Sequence, residues 1–493
     1  MKRHTVWKTV QTVLIAILLV VLVCLATVYM MLYQTADAAD FTLDDYRKLK
    51  NEDVKYNYTE YYRKTLVSPA MVAVRAENAG QAYAVFTSDG LSAMEGELLA
   101  YYEMFFEKSD YAAALPDREG DALFSDVCDG DYLYIKYHTE LPKSLLYQLS
   151  DSGKLTHTVT DERLYECIVF ASSNYLPITP ERLGFENENG FFLCMLTRDL
   201  SGHCHLYRYD HALPVVGKAS FNTNFYLAYS SYRDTEAFSF LKNTTYWQSY
   251  APLSAPTRGE QTVPVIGGRL SVPVIRATSG YRNLLSPDAL QTVLRMLSMS
   301  PDKAVCHRET DGTLTYYEDG RMLKIETDGT CTFSITSYDY AAPLALSGEA
   351  DALNCLGATS MFLDELPLFS DILASPGVSL VLSELTLEND LARVSYGFTY
   401  QNIPVIRDGT HGAASFELYH GKITGCTFSL VFLSGTNSRF QFSQNPMEWL
   451  ALFSDDSLRF DLRVAIVIRE DGDSSGIWHR CFSRPWPKTE DEK

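Results

Sequence analysis

Three short clusters carry side chains that could do chemistry, and the first lies on a predicted strand. His203, Cys204 and His205, with His211 nearby, are residue types that Zn²⁺ accepts as ligands. On a strand the first and third residues share one face and Cys204 points to the other. No carboxylate or second cysteine of this segment stands at ligand spacing. The pattern therefore favours a pair of exposed strand histidines over a metal site.

The other two clusters are weaker. Ser300 and Lys303 match the Ser-x-x-Lys spacing of penicillin-binding enzymes, but the chain lacks the SDN and KTG partners of those enzymes. Asp126, Asp129 and Asp131 could hold calcium, but their spacing is not that of an EF-hand, and a solvated turn is favoured. We therefore expect no catalytic residue, no bound metal, no cofactor and no enzymatic activity.

A long apolar run near the start predicts a membrane anchor. Residues 13–33 contain no charged side chain, and 21 helical residues span ~31 Å, close to the hydrocarbon core of a bilayer. Lys and Arg precede the run and four aspartates follow it within twelve residues. The positive-inside rule then places residues 1–12 in the cytoplasm and the rest outside, after an exit linker at 34–48. We expect one membrane span, an extracellular C-terminal part and a location in the cell membrane.

Net charge and cysteine content argue against two classes of protein for the expected extracellular part, namely nucleic-acid-binding proteins and disulfide-rich domains. The formal net charge of −20 argues against binding to nucleic acid. Nine of the ten cysteines lie beyond the apolar run, singly and without a Cys-x-x-Cys pair. A dense disulfide framework is therefore not expected, and the alternative is one or two disulfide bridges.

Periodicity and turn signals predict an α+β fold, with mainly antiparallel sheets and a few packed helices in several domains. A linker rich in small and polar residues is expected at 254–261. The expected parts are an N-terminal α+β region at 49–253, a helix followed by a β-meander at 262–340, a helix followed by a sheet at 341–470, and a charged, frayed tail at 471–493.

Local signals place individual elements. Ser92 is the expected N-cap of a helix at 92–108, and Ser286 followed by Pro287 predicts a helix at 286–298. Asp-Gly pairs at 311–312, 319–320 and 328–329 predict the turns of the meander. Further strands are expected at 66–75, 81–88, 131–138, 166–173, 191–197, 203–210, 378–388, 391–400, 413–419, 422–432 and 458–468, with a second helix at 348–366.

A Pro-Val-Ile triplet occurs three times, with its proline at Pro264, Pro273 and Pro404. Proline cannot donate a hydrogen bond to a sheet, so each triplet marks an edge strand or a bulge. A sheet corner is one interpretation. An exposed edge that pairs with another chain is the other, and it makes the three prolines candidate contact positions.

The order of several segments along the chain resembles the YycH family. These segments are LVSPAMVAV (66–74), YIKYHTELPKSLL (134–146), TYYEDGRMLKIETDGTCTFSI (315–335), YGFTYQNIPVI (396–406), ASFELYHGKITGCTFSL (414–430) and RPWP (484–487). A short basic N-terminus, one membrane helix and an acidic ectodomain complete the resemblance. It implies an extracytoplasmic regulator of the WalK (YycG) sensor histidine kinase of Gram-positive bacteria, a smaller YycI-like single-span partner, and no catalytic residues.

With so few residues in the cytoplasm, an inward signal has to pass sideways to another transmembrane helix. The candidate contact face has polar or small residues at spacings of three or four, namely Gln11, Thr12, Ala16, Val20, Val23 and Thr27. A generic lipid-facing helix is the alternative. For the whole protein, the alternatives to a regulator are an extracytoplasmic peptide or glycan binder and a cell-envelope enzyme.

Overall fold

Alternating apolar residues and Gly-containing turns build two large sheets in the computed structural model. The structure describes residues 66–75, 82–107, 110–115, 117–130, 132–146, 164–172, 193–199, 204–209, 236–242, 262–266, 270–344, 352–388, 390–407, 412–442, 458–469 and 474–485. The expected anchor at 13–33, the exit linker at 34–48 and the linker at 254–261 lie outside these residues. No helix of the described part is long and apolar enough to cross a membrane.

The first sheet has nine antiparallel strands in the order β3-β7-β6-β5-β4-β1-β2-β8-β9. The strands are β1 Pro69–Arg75, β2 Ala82–Val85, β3 Asp110–Leu115, β4 Tyr132–Pro142, β5 Leu164–Ser172, β6 Leu193–Asp199, β7 Cys204–Tyr209, β8 Glu236–Lys242 and β9 Thr262–Ile266. Its helices are α1 Ser88–Glu107, α2 Asp117–Asp129 and α3 Lys143–Leu146. Strand β4 is buried along almost its whole length, as expected for a central strand with covered faces.

The second sheet has twelve strands, and its main path runs β11-β12-β13-β14-β20-β19-β17-β18-β22-β23. The strands are β11 Val305–Arg308, β12 Leu314–Glu318, β13 Arg321–Ile325, β14 Thr330–Ile335, β15 Ala342–Pro343, β16 Val378–Glu388, β17 Leu391–Tyr400, β18 Ile403–Arg407, β19 Ala414–Tyr419, β20 Lys422–Ser429, β22 Leu458–Ile468 and β23 Ser474–Pro485. Strand β15 pairs with β20 and β16 with β17. A separate ribbon pairs β10 (Leu270–Ser279) with β21 (Val431–Phe442).

Two hairpin turns of the meander share the sequence Glu-Thr-Asp-Gly-Thr, at 309–313 and 326–330. In each turn the aspartate accepts the backbone N–H and the hydroxyl of the second threonine. The glycines Gly312 and Gly329 have φ of 94° and 95°, which a residue with a side chain adopts only with strain. The Asp-Gly pairs therefore form turns as the sequence predicts.

The remaining helices are α4 Tyr281–Leu284, α5 Pro287–Met296, α6 Ala352–Glu365 and α7 Phe369–Leu373. Helix α5 begins at Pro287 after Ser286, as predicted. Helix α1 begins at Ser88, four residues before the start expected from Ser92. The earlier start follows from Thr87, whose hydroxyl accepts the N–H of Gly90 and so caps the helix one turn sooner.

Helix α6 covers one face of the second sheet. Phe362 meets the ring of Phe416 edge-on at 5.4 Å. The hydroxyl oxygens of Thr359 and Tyr396 lie 2.6 Å apart. This bond satisfies two polar groups that are both fully buried in the interface.

The predicted class of mainly antiparallel sheets with a few helices is confirmed. The second sheet, however, continues across the domain boundary expected between residues 340 and 341, because β14 pairs directly with β20. The frayed tail expected at 471–493 is corrected for Ser474–Pro485, which forms β23 and pairs with β22. The rest of that range lies outside the described residues. The strand contains Ile477, Trp478 and Phe482 beside only two arginines, Arg480 and Arg484, and that composition allows a strand.

Candidate functional site

A tight turn between β17 and β18 carries the residue that joins the two sheets. Gln401 and Asn402 form this two-residue loop with φ of 52° and 67°. Two consecutive positive φ values define a type I′ hairpin turn, and asparagine tolerates this conformation better than most residues do. The turn holds the Asn402 side chain against the nine-stranded sheet, where it is 9% exposed.

The Asn402 amide uses both of its ends. Its Nδ2 lies 3.2 Å from the carbonyl oxygens of Pro69 and Ala70 and 3.0 Å from that of Phe86. Its Oδ1 lies 3.1 Å from His138 Nε2. Carbonyls only accept hydrogen bonds, so the amide nitrogen has to face them and the amide oxygen has to face the imidazole. His138 therefore donates its Nε2–H to Asn402.

Two backbone hydrogen bonds support the contact between the two sheets at Asn402, which we call the junction. The N–H of Ser88, at the start of α1, donates to the carbonyl of Gln401 at 3.3 Å. The N–H of Leu382 on β16 donates to the carbonyl of Leu66 at 2.9 Å. Together with Asn402, these contacts hold β1, β4 and α1 against β16 and the β17–β18 turn.

Strand β4 carries a charged and polar run that leads to the junction. Lys136, His138 and Glu140 stand at alternate positions of this strand, and its pairing with β5 shifts register between Lys136 and Leu141. Lys136 Nζ lies 3.9 Å from Glu166 Oε1 on β5, and both side chains are almost fully buried. A buried ion pair is costly to desolvate, so removing one partner alone destabilises a fold strongly. The pair fixes the part of β4 just before His138.

Beside the junction lies a cavity of about 710 Å³ between β4 and the second sheet. Its apolar wall contains Leu164, Val381, Leu385, Phe398, Val405, Ile406, Val431, Leu433 and Ala465. Its polar lining includes Thr139, Ser383, Thr386, Arg407 and Ser429, and Glu140, Glu384 and Glu388 add three carboxylates. A cavity of this size with an apolar wall and a few polar groups is typical of a ligand or peptide site.

The positive and negative side chains of the cavity differ in how accessible they are to a ligand. Arg407 is held in place, because its guanidinium donates to Ser429 Oγ at 3.0 Å and to Asp328 Oδ2 at 3.2 Å. Glu384 and Glu388 lie on exposed positions of β16. The accessible part of the lining is thus acidic, and it favours a ligand with positive or hydrogen-bond-donating groups.

Beyond Leu382, whose N–H donates to Leu66, strand β16 gives the cavity an edge that no other described strand pairs with. Among the described residues, β16 forms a ladder with β17 alone, and a bulge between Leu382 and Glu384 interrupts that ladder at Ser383. Beyond the bulge, Glu384–Glu388 continue along the cavity. An extended peptide can pair with such an edge through its main chain while its side chains enter the adjoining pocket.

The three prolines of the Pro-Val-Ile triplets lie in different settings. Pro264 is on β9, the last strand of the nine-stranded sheet, opposite Phe240. Pro273 stands at the bulge of the β10–β21 ribbon. Pro404 lines the cavity, but β18 pairs on both sides, so the edge-strand expectation fails there. Its missing N–H is tolerated because pairing with β22 begins one residue later, at Val405.

The first of the three chemical clusters differs from the expectation. His205 is buried rather than exposed, because it lies edge-on to Tyr165 with ring centres 5.9 Å apart. Cys204 is also buried. His203 lies outside the described residues. In the described part of the chain, no group of three or more metal-ligand residues comes together.

The other two clusters belong to local structure. Asp126 and Asp129 lie in α2, not in a solvated turn, and Asp131 falls outside the described residues. Ser300 takes part in a backbone turn, where its carbonyl accepts the N–H groups of Lys303 and Ala304. Its own N–H donates to the Glu318 carboxylate. The candidate membrane face from Gln11 to Thr27 also lies outside the described residues.

Asn402 and His138 were not among the residues singled out in the sequence. The dipeptide Gln401-Asn402 between two apolar runs is a recognisable signal for a two-residue hairpin. Nothing in the local sequence shows that the side chain at this turn reaches a strand 264 residues away.

The chain matches no family model, no curated protein and no solved structure.

Proposed function

We propose that this chain is a membrane-anchored extracytoplasmic regulator that binds a sensor histidine kinase similar to WalK and modulates its activity. The observation that carries the proposal is a contact between two of the segments that resemble the YycH family. Segment 134–146 contributes His138 and segment 396–406 contributes Asn402, and these side chains bond to each other. Segments far apart in sequence thus meet beside the cavity next to β16, which we call the cleft.

The proposed route of regulation has two contacts. Outside the membrane, the cleft beside β16 binds the kinase or a YycI-like single-span partner. Within the membrane, the face Gln11, Thr12, Ala16, Val20, Val23 and Thr27 packs against a kinase helix. A coupling free energy of about 1–3 kcal/mol between the two proteins shifts kinase output ~5–150-fold. No step of this route requires a catalytic residue, a metal or a cofactor.

The test is crosslinking in intact membranes of the native host, followed by recovery of the full-length protein. We expect a sensor histidine kinase and a second single-span protein among the crosslinked products. Replacing residues 13–33 by an unrelated apolar helix should abolish regulation, while a variant with exposed Asp302→Asn serves as the control. Recovery of the protein alone, or unchanged kinase output after the helix swap, would refute the transmembrane route.

A second candidate is an extracytoplasmic peptide-binding protein, and the cavity of about 710 Å³ with the open edge of β16 favours it. The three carboxylates of the lining point to a basic peptide rather than a neutral glycan. A Cβ added at Gly397 meets only ordinary contacts, 3.8 Å from Ser383 Cβ and 4.0 Å from Val381 Cγ2. A larger side chain there is thus expected to fill the cavity.

Calorimetric titration with basic peptides separates this candidate from the first. We expect saturable binding to the unaltered protein and to Gly397→Ala, and loss of binding in Gly397→Leu. Binding of glycans but not peptides, or equal peptide binding by both variants, would reject the peptide site.

A further inference from the structure

Strand β11 is the end strand of the twelve-stranded sheet that the described residues form. Among the described residues it pairs with β12 alone. All four of its residues, Val305–Arg308, are exposed. Val305 is 68% exposed, and Tyr317, directly opposite on β12, is 49% exposed. An open strand edge presents unpaired backbone N–H and C=O groups that can pair with another chain.

The hydrogen-bond pattern shows which backbone groups face outward. Glu309 N–H donates to the carbonyl of Thr313 at 2.8 Å, so these two residues form a hydrogen-bonded pair of the hairpin. In an antiparallel ladder such pairs alternate with pairs that do not exchange bonds. Val305 and His307 therefore bond to β12, while Cys306 and Arg308 direct their N–H and C=O groups to the open edge.

We propose that β11 pairs with β11 of a second copy of this chain in an antiparallel arrangement centred on Cys306. In this register Cys306 lies opposite its own equivalent, and the two exchange two backbone hydrogen bonds. Arg308 N–H of each copy donates to the Ala304 carbonyl of the other. The Ala304 N–H is already used, since it donates to Ser300 at 2.9 Å. Four inter-chain backbone bonds result.

Charge complementarity selects this register over its neighbours. Lys303, in the turn that precedes β11, comes to lie near Glu309 of the other copy, and two-fold symmetry forms the pair twice. Both residues are exposed and at the ends of the paired segment. Shifting the register by two residues brings Cys306 opposite Arg308 or Ala304 and separates both ion pairs. An acidic chain thus has a short edge that is complementary to itself.

The exposed Cys306 thiol allows the proposed pairing of two β11 strands to be tested by crosslinking. Of the cysteines whose side chains the structure describes, Cys306 is exposed and the other six are buried. A directly opposed hydrogen-bonded pair places two Cα atoms ~5.5 Å apart. A bismaleimide with a short spacer should therefore join two copies through Cys306.

The dimer is expected to be weak, with a dissociation constant on the order of micromolar, because the paired segment is short. Sedimentation of the full-length protein in detergent measures it. Arg308→Pro removes the N–H that donates across the interface, and we expect the dissociation constant to rise about tenfold or more. Arg308→Ala is the matched control, since it also loses the side chain but keeps the N–H. Circular dichroism checks that both variants remain folded.

A charge exchange tests the register. Lys303→Glu and Glu309→Lys should each weaken the dimer, and the double variant should restore it. Short-spacer crosslinking should disappear in Cys306→Ser. The proposal is overturned if the unaltered protein stays monomeric at all concentrations, or if Arg308→Pro dimerises as well as Arg308→Ala does. The second result would indicate a dimer held elsewhere, for example through residues 13–33.

Discussion

Asn402 Oδ1 lies 3.1 Å from His138 Nε2, and this hydrogen bond joins a hairpin turn of one sheet to a strand of the other. The other end of the same amide faces three backbone carbonyls. A side chain that accepts at one end and donates at the other is required here, and neither aspartate nor leucine of similar size meets this requirement. The junction therefore depends on the chemical identity of one residue in a hairpin turn.

Replacing Asn402 tests this dependence. Asn402→Asp turns a carboxylate oxygen toward three carbonyl oxygens, and we expect it to lower the free energy of unfolding by about 3–5 kcal/mol. Asn402→Gly keeps the positive φ without strain and loses only the side-chain bonds, so we expect a loss of about 1–3 kcal/mol. Urea unfolding followed by fluorescence measures both. Equal stability of the two variants would contradict the assigned amide orientation.

The two Glu-Thr-Asp-Gly-Thr turns offer a matched pair of substitutions. Gly312→Ala and Gly329→Ala impose the same positive φ on alanine, which costs about 1–2 kcal/mol. At Gly329 an added Cβ also lies 2.5 Å from the Leu430 carbonyl oxygen, whereas at Gly312 its nearest neighbour is the Thr327 methyl group at 3.1 Å.

We therefore expect Gly329→Ala to lower the free energy of unfolding by ~2 kcal/mol more than Gly312→Ala does. Thermal unfolding of both variants under one set of conditions gives the difference. If the two changes are equally costly, the close approach of Gly329 to Leu430 is not maintained in solution.

The lowered pKa of the Asp311 carboxyl predicts that the free energy of unfolding depends on pH. Its pKa lies below the ordinary value, first because the backbone N–H of Thr313 donates to the carboxylate, and further because the Thr313 hydroxyl does so. A folded-state pKa below the unfolded value stabilises the fold above the unfolded pKa, and this contribution is lost as the pH falls through the folded pKa. The affected window therefore lies below about pH 4.

Asp311→Asn removes this titration but keeps an oxygen that can accept the Thr313 N–H. We expect the stability difference between the unaltered protein and Asp311→Asn to shrink as the pH falls below about 4. Urea midpoints recorded across the acid range measure it, with Asp302→Asn as the control. A difference that stays constant with pH would argue against the Thr313 bonds.

The cysteines should differ sharply in reactivity. Burial raises the pKa of the Cys331 and Cys426 thiols, and the proximity of Cys426 adds to the shift at Cys331. The thiolate is the reactive form, so both residues should resist maleimide until the fold opens. Exposed Cys306 should react at least about 100-fold faster in the native protein. Peptide mass spectrometry after timed labelling resolves each site, and rapid labelling of Cys331 would contradict its buried position.

Features that depend on a few neighbouring residues could be predicted from the sequence. An Asp-Gly pair supplies the positive φ that a hairpin needs, so the meander turns at Gly312, Gly320 and Gly329 follow from local chemistry. Ser286 before Pro287 similarly fixes the start of α5. The start of α1 was missed because Thr87 and Ser92 are both good caps, and their local sequence does not rank them.

Features that depend on distant residues could not be predicted. Strand β23 reads as a charged tail until β22 supplies a ladder for it. Pro404 has the sequence of an edge strand, yet β22 pairs with the rest of its strand. The cleft lies where Asn402 meets β1, β4 and the segment before α1, and periodicity within one segment carries no information on such a meeting.

The long separation between paired segments also bears on how fast the protein folds. The hairpins β11–β14 join neighbours in sequence, whereas β10 pairs with β21 and His138 bonds across 264 positions. Closing long loops slows folding, and non-local pairing lowers the rate by orders of magnitude relative to local pairing. Refolding should thus be biphasic, with an early meander and a late docking step. Until Asn402 docks, the apolar side chains that later line the cleft should be open to solvent, and this intermediate is the species that we expect a chaperone or a protease to meet.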